Sequence, residues 1–286
     1  MINLRRKSDP GSETQQQPED FLSNSSFFRS AADLEFSGQQ QRRRERLSTS
    51  SEHLDDLLSG GLELGEITQF YGPPNSGKTH LCHLLCVVLP SLYQAYYIDT
   101  EGTFRGEKIE SIAIARGLDP TNILHNIKVV QPTNSKQQES CIEEACAAVR
   151  STNSKIKLLI VDSMMFHYRA EYPGRSGLSE RAHRLNIYMH MLHSLAQRNN
   201  IAVIITNQST CNPDTQFNVK DPQPFGGNVI SYTSTYIVYL ERAGSTYMST
   251  TLNARLVKSP LRGYLWRLLG IVESGLEDRD PHYTHD

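Results

Sequence analysis

Gly72-Pro73-Pro74-Asn75-Ser76-Gly77-Lys78-Thr79 fits the phosphate-loop pattern G-x-x-x-x-G-K-[ST] at every fixed position, and that match decides the fold. Glycines let successive backbone N–H groups turn toward phosphate oxygens, the Lys78 ammonium reaches the outer phosphates, and the Thr79 hydroxyl is a ligand for Mg²⁺. The flanks suit the loop. Residues 66–71 (Glu66 to Tyr71) predict a strand, and Thr79 to Leu89 predict a helix with Leu81, Leu84, Leu85 and Val88 on one face. That helix would add partial positive charge at its N-terminus. The reading is a nucleoside triphosphate held by Gly72, Pro73, Pro74, Asn75, Ser76, Gly77, Lys78 and Thr79, with His80 next in line.

Outward from the loop, three short apolar runs recur: Tyr96-Tyr97-Ile98, Leu158-Leu159-Ile160-Val161 and Ile201-Ala202-Val203-Ile204-Ile205. Helical patterns at Ile109 to Ala115, Gln137 to Val149 and Leu185 to Ala196 separate them, which predicts βαβ units and a parallel sheet covered on both faces. The last stretch, Thr235 to Leu240, Thr251 to Val257 and Tyr264 to Ile271, carries strands without helices between them and predicts an antiparallel extension. The fold class is α/β.

Each parallel strand ends in polar residues: Asp99-Thr100-Glu101, Asp162-Ser163 and Thr206-Asn207-Gln208. In an open α/β sheet the ligand sits beyond the carboxyl ends of the strands, so these side chains should converge on the phosphate loop. Asp162, after an apolar run, is the expected metal-holding carboxylate, and Glu101 suits a group that orients the attacking water. Gln208 can bond the terminal phosphate and move when that phosphate leaves.

The formal charge of −2 excludes global attraction to polyanions, so nucleic-acid binding would rest on local basic clusters. No run reaches the roughly 18 apolar residues of a membrane span, which predicts a soluble intracellular protein. The five cysteines form no C-x-x-C pair, and buried thiols are expected at Cys82, Cys86, Cys141 and Cys146, with Cys211 in a loop. His167, His183, His190 and His193 lack metal-ligand spacing. Residues 1–45, rich in Gln, Ser and Arg, read as a tail, with 46–286 as the folded core. In that tail Phe27, Phe28, Leu34 and Phe36 are apolar points that either dock on the chain's own core or anchor in a neighbouring subunit.

Six words in order give the chain a family likeness. They are Leu47-Ser48-Thr49 through Gly60-Gly61-Leu62, Tyr97-Ile98-Asp99-Thr100-Glu101-Gly102-Thr103-Phe104-Arg105, Leu159-Ile160-Val161-Asp162-Ser163, Arg169-Ala170-Glu171-Tyr172 with Gly174-Arg175, Ile205-Thr206-Asn207-Gln208, and Phe225-Gly226-Gly227-Asn228. In these the sequence resembles RecA-type recombinases of the archaeal RadA and eukaryotic strand-exchange branch. The resemblance implies a DNA-dependent ATPase that uses ATP and Mg²⁺, with Thr79 and Asp162 at the metal, Lys78 and Glu101 in catalysis, and Gln208 linking ATP state to DNA binding. It implies filaments on single-stranded DNA, with duplex DNA and another recombinase as further partners, acting in recombination and repair. The location would be cytoplasmic and nucleoid-associated, or nuclear in a eukaryote.

By the same resemblance two loops, Arg169 to Arg184 and Ser209 to Gly227, face DNA. Arg169, Tyr172, Arg175 and Arg181 come from the first, and Phe217 and Lys220 from the second. Subunit joining would fall to Phe36, or to Phe28 with Ala31, which spell F-x-x-A. The chain also departs from the family pattern. Its tail reads as too short and polar to supply the family's helix-hairpin-helix domain, Lys108 stands where an arginine usually stacks on adenine, and Lys258 stands where an aspartate is usual. Lys258 is expected to cross to the neighbouring subunit's terminal phosphate and to replace a bound monovalent cation such as potassium there. Two other readings fit: a RadB-like paralogue that regulates without exchanging strands, and a KaiC-like ring ATPase.

Overall fold

A computed structural model describes residues 45–151, 154–210, 222–244 and 249–280. The elements run β1 (Arg46–Leu47), α1 (Glu52–Leu57), β2 (Leu62–Glu63), β3 (Ile67–Gly72), α2 (Lys78–Val88), β4 (Gln94–Asp99), α3 (Gly106–Ala115), α4 (Pro120–His125), β5 (Ile127–Val130), α5 (Ser135–Arg150) and β6 (Ile156–Asp162). They continue with α6 (Phe166–Glu171), α7 (Leu178–Asn199), β7 (Ala202–Thr210), β8 (Gln223–Pro224), α8 (Asn228–Thr233), β9 (Tyr236–Arg242), β10 (Thr251–Lys258), β11 (Leu265–Val272) and β12 (Gly275–Arg279).

The strand order is β12-β11-β10-β9-β3-β7-β6-β4-β5. From β9 to β5 neighbours are parallel, and β10, β11 and β12 extend the β9 edge antiparallel. The central strands are buried on both faces, and their side chains alternate between two cores as a period of two demands. Leu158 and Ile160 of β6, with Ala202 and Ile204 of β7, join Leu81, Leu84 and Leu85 of α2. Leu159, Val161, Val203 and Ile205 point the other way, toward Ile142 of α5 and Leu185, Met189 and Leu192 of α7. Burying each such side chain contributes about 1.5–3 kcal/mol.

A small clip ties the start of the core. Arg46 donates to the carbonyls of Leu58 (2.6 Å) and Gly61 (3.0 Å), to Glu63 (2.5 Å) and to the Tyr236 hydroxyl (2.9 Å). Ser51 caps α1 through the Leu54 N–H, and Asp278 of β12 accepts from Ser51 Oγ and from the N–H groups of Glu52 and His53. Among the described residues no helix is long and apolar enough to cross a membrane.

The sheet departs from the sequence reading in three places. The strand expected at Thr235 to Leu240 begins the antiparallel extension through β10, and its other edge is parallel to β3, which the sequence reading did not include. Strands β5 and β12 were not anticipated, because β5 is a short edge with half-exposed Val129 and Val130, and β12 carries charges at Glu277, Asp278 and Arg279. The segment Arg169 to Arg184, read as a loop, is mostly helix: Arg169 lies in α6 and Arg181 and Arg184 in α7. Pro173, Gly174 and Gly177 confine the break to the short turn at 172–177, while Glu180, Arg181 and Arg184 are good helix formers.

Candidate functional site

Strand β3 delivers the phosphate loop. A side chain at Gly72 would put its Cβ 1.9 Å from the Leu240 carbonyl oxygen and 2.7 Å from Ser76 Oγ, so only glycine lets β9 pack there. Gly77 sits at φ +82° as the residue before α2, and no side chain caps that helix. Its first N–H groups are therefore left for an external acceptor. Lys78 Nζ donates to the carbonyls of Gly72 (3.0 Å) and Pro73 (2.8 Å) and to Ser76 Oγ (3.1 Å). Burial lowers the Lys78 pKa, with Asp162 and Glu101 opposing that shift. Pro74 and Asn75 are exposed at the tip, and Thr79 is half-buried on the first turn of α2. Arg242, at the end of β9, donates to the Asn75 carbonyl (2.7 Å) and braces the tip, a role sequence spacing did not reveal.

Asp162 ends β6 beside Asp99 of β4 and is 2% exposed. Its two oxygens accept from the Tyr97 hydroxyl (2.7 Å) and the Thr206 hydroxyl. Thr206 was expected among the strand-end side chains, but neither it nor Tyr97 was assigned to Asp162; they come from neighbouring strands, and only the sheet register brings them together. Glu101 accepts from Ser163 Oγ (2.7 Å). Its turn is fixed by Asp99, which accepts from the N–H groups of Thr103 and Phe104 (3.0 Å each) and from Gln131 (2.8 Å). Asp99 is thus spent on shaping the turn. Behind it, buried His83 stacks at 6.0 Å from Tyr97 and meets the Phe104 ring edge-on at 5.3 Å. Desolvation pushes the His83 pKa down to about 4.

His80 Nε2 lies 2.8 Å from the Gly275 carbonyl, at the turn between β11 and β12. Burial lowers its pKa, and the nearby Lys108 charge, from the first turns of α3, lowers it further. Lys258 has partners inside its own chain. Its ammonium donates to the carbonyls of Ser231 (2.9 Å), Tyr232 (3.1 Å) and Ser234 (2.6 Å), capping the C-terminus of α8. A lysine at a helix C-terminus meets four carbonyls without helical partners, and that attraction is available inside the chain.

The arrangement suits a nucleoside triphosphate with Mg²⁺. The helix N-terminus and Lys78 supply positive charge where phosphates would lie, and Thr79 and Asp162 offer hard oxygen ligands. Among the described residues no three His, Cys, Asp or Glu side chains converge as a protein-only metal cage, so phosphate and water oxygens would complete the shell.

Next to this site lies the basic cluster. Gly72 and Gln208 are register partners across β3 and β7. The Gln208 amide oxygen accepts from Arg169 (2.5 Å), and the Gln208 carbonyl accepts from the Phe225 N–H (2.9 Å). Arg169 and Arg181 stand over the Phe225 ring at 5.7 and 5.6 Å. Arg175 is exposed in the 172–177 turn. Tyr172 is half-buried against the second core. Its hydroxyl accepts from Arg184, its carbonyl accepts from Arg181 (3.0 Å), and its ring stacks on Tyr168. The second loop is zipped at its base by β7 and β8, and the Tyr71 hydroxyl donates to the Pro222 carbonyl (2.9 Å). Phe217 and Lys220, Cys211, and the assembly residues Phe28, Ala31 and Phe36 lie outside the described residues.

A parallel sheet with a phosphate loop at the end of β3 and an antiparallel wing beyond β9 defines the class as a RecA-type core. Within that class the chain belongs to the Rad51 family, whose family model matches residues 40–279. It is 38% identical over 264 residues to the DNA repair and recombination protein RadA of Ignicoccus hospitalis, covering 88% of this chain and 77% of that one. Against the protein of the same description from Aeropyrum pernix it is 38% identical over 259 residues, covering 88% and 78%. The Cenarchaeum symbiosum protein is 36% identical over 244 residues, covering 82% of this chain and 59% of its own length. Membership in this family sets aside the KaiC-like reading.

Proposed function

We propose that this chain is an ATP-dependent DNA-binding recombinase that assembles head to tail on single-stranded DNA and acts in homologous recombination and repair. The observation that carries the proposal is the chain of contact from Gly72 of the phosphate loop, through its register partner Gln208, to Arg169 of the basic cluster. In this reading the loop N–H groups and Lys78 bind the phosphates. Glu101, held by Ser163, orients the attacking water. Gln208 senses the terminal phosphate, and Arg169, Arg175 and Arg181 meet DNA phosphates. Mg²⁺, held through Thr79 and Asp162, neutralises phosphate charge. Each Asp162 oxygen accepts one hydroxyl hydrogen and keeps a lone pair free, so it would hold the ion directly or through bound water. His80 and Lys108 flank the nucleotide base. Residues 1–45 serve as an assembly arm, through Phe28 with Ala31 or through Phe36, and 46–286 form the ATPase core. A heterologous interface of this kind need not close: it builds a helical filament where the rotation stays open and a ring where it closes.

The test is ATP hydrolysis with and without single-stranded DNA. Hydrolysis should rise with DNA and vanish in Lys78→Ala. In Glu101→Gln it should fall about 100-fold while ATP still binds. Hydrolysis indifferent to DNA in the wild type would count against the recombinase reading.

A further inference from the structure

Phe225 is an aromatic ring within cation–π reach of two guanidinium groups from different helices, Arg169 of α6 at 5.7 Å and Arg181 of α7 at 5.6 Å. It lies on the return limb of the second loop, directly after β8, and its own N–H and carbonyl are both fixed to β7. The N–H donates to the Gln208 carbonyl (2.9 Å), and the carbonyl accepts from the Asn207 side-chain amide. The backbone that follows is equally determined. Gly226 sits at φ +92°, where a Cβ would meet Ile230 Cδ1 at 2.7 Å and Met165 Sδ at 3.0 Å. The main chain at Phe225 is therefore set by the strand that ends at Gln208, and the ring it carries lies in reach of both guanidinium groups.

We infer that Phe225 is a positioning residue that joins the two basic helices to Gln208, so that Arg169 and Arg181 respond as one unit to the terminal phosphate of the nucleotide. The chemistry is specific. An amide whose oxygen is held by the Arg169 guanidinium turns its NH₂ donors toward an acceptor, and a phosphate oxygen beside Gly72 is such an acceptor. Movement of the Gln208 side chain pulls on Arg169. Movement of β7 at residues 207–208 carries Phe225, and the ring face carries both arginines through cation–π attraction. The exposed Arg169 and half-buried Arg181 are then presented to, or withdrawn from, a DNA backbone. This inference rests on the ATP-coupled DNA binding proposed above and adds the element that transmits it.

The experiment is fluorescence anisotropy of labelled oligothymidylate, titrated with full-length protein in Mg²⁺ with ATP and, separately, with ADP. The ratio of the two affinities is the readout. Phe225→Leu should cut that ratio about tenfold, because it removes the ring face but no charge. Phe225→Tyr, which keeps the face, should restore it. Arg181→Lys, which keeps the charge but loses the planar stack, should behave like Phe225→Leu. The Arg181 variant keeps the question open to test even if Phe225→Leu fails to fold. A wild-type ratio retained in Phe225→Leu or Arg181→Lys, or lost equally in Phe225→Tyr, would overturn the inference. A wild-type protein that binds DNA equally in ATP and ADP would instead overturn the ATP-coupled reading itself.

Discussion

Replacing His83 with glutamine should remove its own share of the chain's acid sensitivity. His83 is buried in α2 with its Nε2 atom lacking a hydrogen-bond partner, stacked against Tyr97 and edge-on to Phe104. Desolvation drives its pKa from 6.5 down to about 4, with the Asp162 and Asp99 carboxylates opposing and the His80 and Lys108 charges assisting. A histidine whose folded pKa is depressed binds its proton more readily in the unfolded chain. Its contribution to stability is therefore full above pH 6.5 and is lost as pH falls toward 4. At about 1.4 kcal/mol per pH unit the full effect is about 3 kcal/mol, most of it gone by pH 4.5. Urea unfolding followed by circular dichroism at pH 7.0, 6.0, 5.0 and 4.5 would measure it. His83→Gln should start less stable at pH 7, having lost the ring contacts, and then fall less steeply, so that the curves converge on acidification. Parallel curves for the two proteins would refute the reasoning, because they would mean His83 titrates alike in both states.

Three further substitutions have expected outcomes. Arg46→Ala leaves Glu63, only 1% exposed, without its guanidinium partner and should lower unfolding free energy by about 3 kcal/mol in chemical denaturation. Gly72→Ala forces a Cβ into the Leu240 carbonyl and should abolish nucleotide binding measured by calorimetry; retained affinity would contradict the loop geometry. Lys258→Met removes the α8 cap and should reduce stability by about 1 kcal/mol in denaturant, without making ATP hydrolysis potassium-dependent.

Much of this was legible from local pattern. The phosphate loop is a contiguous word, and the runs at Tyr96 to Ile98, Leu158 to Val161 and Ile201 to Ile205 became β4, β6 and β7 because buried parallel strands read as unbroken apolar stretches. What escaped the sequence depends on register or on the far side of the sheet. Tyr97 and Thr206 meet at Asp162 only because β4, β6 and β7 lie side by side. Phe225 was legible as part of a family word, but its contact with both Arg169 and Arg181 depends on how α6, α7 and the return limb of the second loop come together. Lys258 looked free to reach a neighbour because the α8 carbonyls it caps lie 24 to 27 residues earlier in the chain. The segment from Arg169 to Arg184 misled for a different reason. Its Gly, Pro and Arg content suggested a loop, but the breakers cluster in one turn and the remaining residues favour helix.

The measurement that tests the central claim most directly is joint-molecule formation between single-stranded DNA and a homologous duplex, in ATP and Mg²⁺. The account predicts product with the wild type and loss of it in both Lys78→Ala and Arg175→Ala. A wild-type protein that binds single-stranded DNA in an ATP-dependent way yet forms no joint molecules would contradict strand exchange, and would mark the chain as a regulatory paralogue of the recombinases it resembles.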